Sequence, residues 1–160
     1  MPEQILIVYY TRSKNTQIIA KLIQEQVGGD LYEVKPKVPY PPSYDAVVKQ
    51  AKTEIQAGYK PPLKTRIDHI ETFDTIFIGS PNWWSTMAPP MATFLSENDL
   101  SGKTVVPFCT HGGGGLGNMD RDIAVLCPQS TMLEGFEIYG SGGADAKSAV
   151  IAWLNRIDMK

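Results

Sequence analysis

Four small polar side chains stand between a run of apolar residues and a stretch with helical periodicity. They are Thr11, Ser13, Asn15 and Thr16 of the segment YYTRSKNTQIIA, residues 9–20. A helix N-terminus leaves several backbone N–H groups unpaired and carries about half a positive charge. Hydroxyl and amide groups placed there could surround a phosphate dianion. A simple helix cap at Asn15 or Thr16 is the alternative, and it accounts for one polar residue better than for four.

The same segment excludes two phosphate chemistries. It has no Gly-Lys-Ser/Thr, so it is not a nucleoside triphosphate loop. Tyr10 and Thr11 end the apolar run where a phosphorylated receiver domain would need an aspartate.

Two adjacent tryptophans form a second unusual segment. Trp83 and Trp84 lie in GSPNWWSTMAPP, residues 79–90, which is predicted to be a loop after a buried strand. Large flat side chains with a hydrogen-bond donor at one edge suit stacking on a planar ligand. A hydrophobic lid or a subunit contact is the alternative for one of the two rings.

A glycine-rich segment, THGGGGLGN at residues 110–118, is the third. Glycines let backbone N–H groups approach a ligand without obstruction. The segment also matches G-x-G-x-x-G, with Glu137 further along, but a dinucleotide fingerprint belongs in the first βαβ unit of a larger fold. An unperturbed imidazole titrates near pH 6.5, so His111 could relay a proton; a solvent-facing histidine in a flexible loop is the alternative.

The elements that position these segments alternate between strand and helix. Five apolar segments are predicted as strands: residues 4–10, 31–34, 74–80, 104–110 and 132–140. Helices are predicted from periodic apolar residues between them: Ile18, Ile19, Leu22, Ile23 and Val27; Tyr44, Val47, Val48, Ala51 and Ile55; Met91, Phe94 and Leu95; residues 118–126; and Ala149, Val150, Trp153, Leu154 and Ile157. Such alternation favours a parallel sheet with helices on both faces. The three unusual segments follow strands one, three and four, so we expect them to meet at the carboxyl edge of the sheet.

One residue conflicts with a regular sheet. Pro107 lies inside the fourth predicted strand and cannot donate to a ladder. We therefore expect a bulge or an irregular pairing at this position.

Composition narrows the functional classes. The 160 residues are predicted to form one domain, 1–160, and 15 basic against 17 acidic side chains give a net charge of −2. Because nucleic-acid binding needs an excess of basic side chains, this near-neutral charge argues against nucleic acid as a partner. We see no membrane span and no signal peptide, and the two cysteines, Cys109 and Cys127, read as reduced thiols of a cytoplasmic protein without a metal site.

A phosphate cradle, aromatic plates and a backbone-rich wall together describe a phosphorylated, flat, heteroaromatic ligand. With these segments and the closing helix that carries Trp153, the sequence resembles the flavodoxin-fold FMN proteins over nearly its whole length. It is most similar to short-chain bacterial members with a Trp-Trp pair after strand three. The resemblance implies an α/β flavodoxin-like fold, a doubly wound five-stranded parallel sheet in the order 2-1-3-4-5, and FMN as the cofactor.

The resemblance also implies the cofactor-binding residues. Lys14 stands where the family commonly has glycine, and the third loop holds His111 and glycines where many flavodoxins have an aromatic residue, which would leave the outer flavin face open. The implied residues are Thr11, Arg12, Ser13, Lys14, Asn15 and Thr16 for the phosphate; Pro81, Asn82, Trp83 and Trp84 beside the ring; and Thr110, His111, Gly112, Gly113 and Gly114 at its pyrimidine edge.

Two functions follow from the resemblance. An enzyme would take electrons from NAD(P)H and pass them to a quinone or a similar small acceptor, with His111 as the candidate catalytic residue. A carrier would shuttle single electrons between partner proteins, for which a strongly acidic surface helps. The small net charge and the glycine-rich loop favour the enzyme, a flavin-sensing module is a third class, and a homodimer is compatible with each.

Overall fold

The protein, described by a computed structural model over residues 4–159, forms one twisted sheet flanked by five helices. Residues 1–3 and 160 of the predicted domain lie outside the described part. Single 3₁₀ turns occupy Ile70–Thr72 and Gly143–Asp145. In chain order, the strands and α-helices are β1 (Ile5–Tyr9), α1 (Asn15–Val27), β2 (Asp30–Glu33), α2 (Tyr44–Ala57), β3 (Thr75–Trp83), β4 (Thr86–Met87), α3 (Pro89–Glu97), β5 (Thr104–His111), α4 (Met119–Leu126), β6 (Thr131–Met132), β7 (Phe136–Tyr139) and α5 (Ala146–Arg156).

The sheet confirms the predicted strand order. β2, β1, β3 and β5 lie side by side and all pair in parallel. β6 and β7 share the next position, because both pair with β5. If β6 and β7 are taken together and the short β4 is set aside, the order is the predicted 2-1-3-4-5. The described sheet has seven strands instead of five, because the fifth predicted strand is divided and β4 is added.

Pro107 explains why the last strand is divided. Leu133 N–H donates to Val105 O, and Gly140 N–H donates to His111 O. Odd-numbered residues of β5 therefore direct their backbone groups toward β6 and β7, and Pro107 falls between those two contacts. The irregular pairing is thus confirmed on this side, whereas the pairing of Pro107 with Ile78 of β3 keeps a regular register.

The core has two apolar layers, one on each face of the sheet. One layer contains Ile19 and Ile23 of α1 together with Trp153 of α5. The other contains side chains of α3 and α4, including Phe94 and Ile123. Ile18, which was predicted to belong to the buried stripe of α1, is instead 43% exposed. Within residues 4–159, no helix has the length and apolar character that spanning a membrane requires.

The segment that carries the two tryptophans is a β-hairpin, so its prediction as a loop was wrong. β3 continues three residues beyond its predicted end, through Trp83, and turns back into β4. The two turn residues, Trp84 and Ser85, have φ values of 55° and 68°. Hairpins with two-residue turns favour positive φ at both positions, because that conformation matches the twist of the strands. The Asn82 side chain holds the turn by accepting a hydrogen bond from Ser85 N–H at 2.8 Å.

Four side chains with raised pKa values predict weaker stability in alkali. Burial raises the pKa of the Cys109 thiol to about 12 and that of the Cys127 thiol to about 11. Burial also raises the pKa of the Tyr10 and Tyr40 phenols. Groups with a raised folded-state pKa contribute stability that is complete below the unfolded pKa and is lost as pH rises through the folded one. We expect the urea midpoint to fall as pH rises from about 9 toward 12, measured by circular dichroism; a constant midpoint would contradict this.

Candidate functional site

The three unusual segments meet at the carboxyl ends of β1, β3 and β5, as expected. They surround one cavity of about 630 Å³, which we call the loop cavity. Its lining residues are Arg12, Ser13, Asn15, Tyr44, Val47, Val48, Ala51, Pro81, Asn82, Trp83, Trp84, Thr110, His111, Gly112, Tyr139 and Gly140. Ten of the fifteen residues predicted from the sequence are in this lining. Lys14, Thr16, Gly113 and Gly114 belong to the same three segments without lining the cavity, and Thr11 borders a second cavity.

The first segment ends at an uncapped helix. α1 begins after Lys14, and no side chain forms a capping hydrogen bond to its N-terminal N–H groups. The predicted alternative of a cap at Asn15 or Thr16 is therefore not what the structure shows. Thr16 is buried and its hydroxyl contacts the Thr110 hydroxyl at 2.8 Å. This leaves the helix N-terminus and the Ser13 and Asn15 side chains at the edge of the cavity, where an anion would be stabilised.

Thr11 carries the one buried side-chain polar atom without a partner among the described residues. Its Oγ1 is shielded from solvent and forms no hydrogen bond. An unsatisfied buried hydroxyl costs about 1–3 kcal/mol. Such an atom, next to an uncapped helix N-terminus, is consistent with a loop that is completed by a bound ligand.

Lys14 adopts a conformation that favours glycine. Its φ of 75° and ψ of −7° are left-handed, which costs most residues about 1 kcal/mol or more. Lys14→Gly removes this strain but increases the entropy of the unfolded chain, by roughly 0.4–1 kcal/mol. We expect the free energy of unfolding to rise by no more than about 1 kcal/mol, measured by urea denaturation. Lys21→Gly, at an exposed position inside α1, is the control, and its free energy of unfolding should fall by about 1 kcal/mol. An equal fall in both variants would show that the backbone at Lys14 is not strained.

Trp83 is held by two other aromatic rings. Its ring lies edge-on to Tyr10, with centroids 5.5 Å apart, and to Tyr40, with centroids 5.1 Å apart. Tyr40 is fixed in turn, since its hydroxyl donates to the Glu54 carboxylate at 2.6 Å. Trp83 also packs against the core layer of α3 and α4. This ring is therefore part of the packed structure as well as of the cavity wall.

Trp84 is more exposed and is tethered at one edge. Its indole N–H donates to Val48 O of α2 at 3.0 Å, and Lys52 Nζ lies 5.1 Å from the ring centroid. Half of the residue, 49%, remains exposed at the cavity. A large ring with a fixed edge and free surface is the better candidate for stacking on a planar ligand.

His111 is not the solvent-facing residue of the sequence-based alternative, because only 9% of its side chain is exposed. Its Nδ1 accepts a hydrogen bond from Gly113 N–H at 3.0 Å. Nδ1 therefore carries no proton in this arrangement, and Nε2, 3.0 Å from Glu137, is the donor. Because the neutral ring uses both nitrogens within the protein, its geometry suits holding the glycine loop better than relaying protons. Both contacts hold the loop, and neither gives evidence for the predicted catalytic role of His111, which stays a prediction.

One glycine of the third segment, Gly117, allows close packing against the tryptophan hairpin. A Cβ atom on Gly117 would lie 2.8 Å from Ser85 O, and Asn118 N–H donates to the same oxygen at 2.6 Å. Asn82 adds a bond from its Nδ2 to Gly115 O at 2.8 Å. The glycine loop and the tryptophan hairpin are therefore fastened to each other. By contrast, a Cβ at Gly112 or Gly113 would meet nothing within 4 Å, so these positions leave the backbone accessible.

Sequence reasoning missed the contribution of α2 and β7. Tyr44 and Val48 of α2 and Tyr139 of β7 line the cavity. Tyr44 and Tyr139 are 71% and 69% exposed, and no signal in the sequence indicated that these two rings would lie at the cavity. Tyr139 lies edge-on to His111, with centroids 6.1 Å apart. β7 thus supplies an aromatic residue at the cavity that the third loop lacks, and the open outer face of the flavin stays a prediction.

Charge is unevenly distributed around the loop cavity. Among its lining residues, Arg12 is the only permanently charged side chain, and its Nη2 donates to Pro42 O at 3.0 Å. The same lining contains the rings of Trp84, His111 and Tyr139. The cavity therefore combines a cation and a helix N-terminus with flat aromatic side chains, which suits a planar ligand that carries an anionic group.

Comparisons with known proteins agree with the fold. The flavodoxin family model matches residues 4–157. The chain is similar to a candidate flavoprotein from Bacteroides eggerthii, with 32% identity, a TM-score of 0.86, and 98% and 99% of the two chains covered. A candidate flavoprotein from Bacteroides uniformis has 27% identity and a TM-score of 0.84, with 97% and 99% covered. A flavoprotein from Lactobacillus acidophilus, solved with FMN, shares the fold at 24% identity and a TM-score of 0.72, with 91% and 99% covered. No curated protein matches the chain significantly.

Proposed function

Because this chain belongs to the flavodoxin family, we propose that it binds FMN in the loop cavity and acts as an electron-transferring oxidoreductase. In this proposal NAD(P)H supplies the electrons and a quinone or a similar small molecule accepts them. The observation that carries it is the meeting of three loops around one cavity of about 630 Å³. Cavities of this size are typical of cofactor and small-molecule sites. A relative with the same fold, the Lactobacillus acidophilus flavoprotein, was solved with FMN, which adds support.

The phosphate end of FMN fits the first loop. Ser13 and Asn15 border the cavity, the α1 N-terminus is uncapped, and Arg12 provides a positive charge. Thr11, which borders the second cavity but directly precedes Arg12 in the same loop, offers a buried hydroxyl that has no partner among the described residues. Together these groups would bind the dianion through backbone N–H and hydroxyl donors.

The ring end of FMN fits the hairpin and the glycine loop. Trp84 would stack on the isoalloxazine, and Thr110 to Gly112 would face its pyrimidine edge. His111 would keep the loop in place through its bonds to Gly113 and Glu137. The bound flavin supplies the redox chemistry, while the protein binds and orients it.

Access to the cavity favours a small-molecule acceptor. Tyr44 and Tyr139 are exposed at the cavity and could stack on a planar quinone. The formal charge of −2 provides little steering for a protein partner. A cytoplasmic location is part of the same proposal, since Cys109 and Cys127 are free and buried.

The test begins with the protein purified and saturated with FMN. Mass spectrometry of the cofactor released from protein isolated from cells should identify FMN, and FAD alone would contradict the proposal. NADH or NADPH, added without oxygen, should then bleach the yellow colour, and a soluble quinone should restore it with turnover. A yellow protein that only dithionite reduces would be a carrier.

A tyrosine pair tests the acceptor side of the same assay. Tyr139→Ala should raise the KM for the quinone several-fold, because it removes an exposed ring from the cavity. Tyr59→Ala is the matched control, since Tyr59 is also exposed but does not line the loop cavity. Equal quinone kinetics in both variants would show that the acceptor binds elsewhere.

A further inference from the structure

A second cavity, of about 510 Å³, lies on the other side of the first loop, next to the carboxyl end of β2. We call it the lysine cavity, after Lys35, Lys37 and Lys64 in its lining. Arg12 lines both cavities. Tyr10 and Tyr40, which enclose Trp83, form part of the wall that separates them. The proposed electron transfer gives this cavity no role.

Backbone pairing holds the segments that carry the three lysines side by side. Pro36 and Leu63 form an isolated antiparallel bridge, and Lys64 N–H donates to Lys35 O at 2.8 Å. Lys35 is therefore directly opposite Lys64. Lys37 N–H donates to Pro62 O at 2.8 Å, which extends the pairing by one more hydrogen bond. All three lysines line the same cavity, whereas Leu63 packs against the core.

Like charges directly opposite each other on paired strands are destabilising. The lysine cavity nevertheless contains four cationic side chains, since Arg12 joins the three lysines, against the single carboxylate of Glu33. The formal charge of the lining is thus four minus one, or +3. None of the three lysines forms an ion pair with a carboxylate of residues 4–159. Backbone pairing thus holds the cluster together although Glu33 offsets only one of its four positive charges.

We propose that the lysine cavity binds a polyanion of the pyrophosphate class. Lysine binds phosphate as a point charge, and several cations around one concave surface favour an anion with several charges over a single carboxylate. The prolines at positions 36, 39, 41 and 42 line the same cavity and restrict the backbone that carries the lysines. The diphosphate bridge of a nicotinamide dinucleotide and a free polyphosphate have this same chemistry.

The experiment titrates inorganic pyrophosphate into the protein saturated with FMN and follows binding by calorimetry. Excess FMN fills the loop cavity, so that pyrophosphate does not occupy the phosphate cradle. Lys35→Ala combined with Lys64→Ala should weaken pyrophosphate binding roughly tenfold, and Lys35→Arg with Lys64→Arg should retain it. Lys21→Ala combined with Lys147→Ala removes the same charge from exposed positions outside both cavities and should leave binding unchanged.

Each outcome decides the proposal. Absence of pyrophosphate binding, or equal weakening in the Lys21/Lys147 control, would overturn it. Competition then separates the sources: displacement of pyrophosphate by NADPH or NADH assigns the site to a dinucleotide, and lack of displacement assigns it to a free polyphosphate. Flavin content is measured first by absorbance, so a failure to bind FMN is recognised separately from a failure to bind the anion.

Discussion

Replacing Thr11 by valine and Ser13 by alanine together is expected to weaken FMN binding about a hundredfold while leaving the apoprotein at least as stable. Each hydroxyl would donate to a charged phosphate oxygen, and two such bonds are worth roughly 3 kcal/mol or more. In the apoprotein the Thr11 hydroxyl is buried without a partner. Valine keeps the shape of threonine and removes that unsatisfied group, so affinity and stability should change in opposite directions. Fluorescence titration with FMN and urea denaturation of the apoprotein measure the two effects.

Thr16→Val is the control for this pair. The Thr16 hydroxyl contacts the Thr110 hydroxyl at 2.8 Å inside the core. Its removal leaves Thr110 unsatisfied, so we expect a loss of about 1–3 kcal/mol in stability. A Thr11/Ser13 double variant with unchanged FMN affinity would show that the phosphate lies elsewhere.

Alanine at Trp83 and alanine at Trp84 are expected to have different effects. Trp83 is enclosed by Tyr10 and Tyr40 and packs on the core. Because it is not fully buried, Trp83→Ala should cost somewhat less than the 3–5 kcal/mol typical of a buried aromatic residue, about 2–3 kcal/mol in unfolding free energy. Trp84 contacts the protein mainly through Val48 and Lys52, so Trp84→Ala should cost much less.

The flavin should respond in the opposite pattern. An electron-rich ring stacked on flavin disfavours the reduced state, so Trp84→Ala should raise the midpoint potential and weaken FMN binding by about tenfold. Tryptophan fluorescence should be quenched on FMN binding, and Trp84→Ala should lose most of that quenching. A change in potential in the Trp83 variant alone would assign the stacking to Trp83. If neither variant changes spectrum, affinity or potential, the hairpin is not a flavin wall.

The central strands of the sheet could be predicted from the sequence because strands buried on both faces need continuous apolar residues. The segments QILIVYY and DTIFIGS each contain a continuous apolar run, as strands covered on both faces do, and they form β1 and most of β3. The irregularity at Pro107 was also predictable, since it follows from one missing N–H. The sequence did not predict that the irregular pairing would lie on the β6 and β7 side, because this depends on which neighbouring strand each residue of β5 faces.

The candidate site was predictable where its residues follow strands in sequence. Thr11 to Thr16 and Thr110 to Gly112 lie where a parallel sheet places such loops. The contributions of Tyr44 and Tyr139 depend on how α2 and β7 pack in three dimensions, which local pattern does not determine. The hairpin was missed for a different reason: a turn of this type is expected at Asn-Gly or a similar pair, and Trp84-Ser85 contains no such residue.

That turn implies a compromise between folding and function. Two adjacent residues with side chains occupy left-handed conformations, each of which costs about 1 kcal/mol or more. Asn-Gly at the same two positions would relieve the strain, and protein engineers who optimise the scaffold for heat resistance would be led to that replacement. The replacement would also delete an indole ring from the cavity. Positions where a chain retains strain that a common substitution would remove are expected at functional sites, and selection for electron transfer would preserve Trp84 where selection for thermostability alone would discard it.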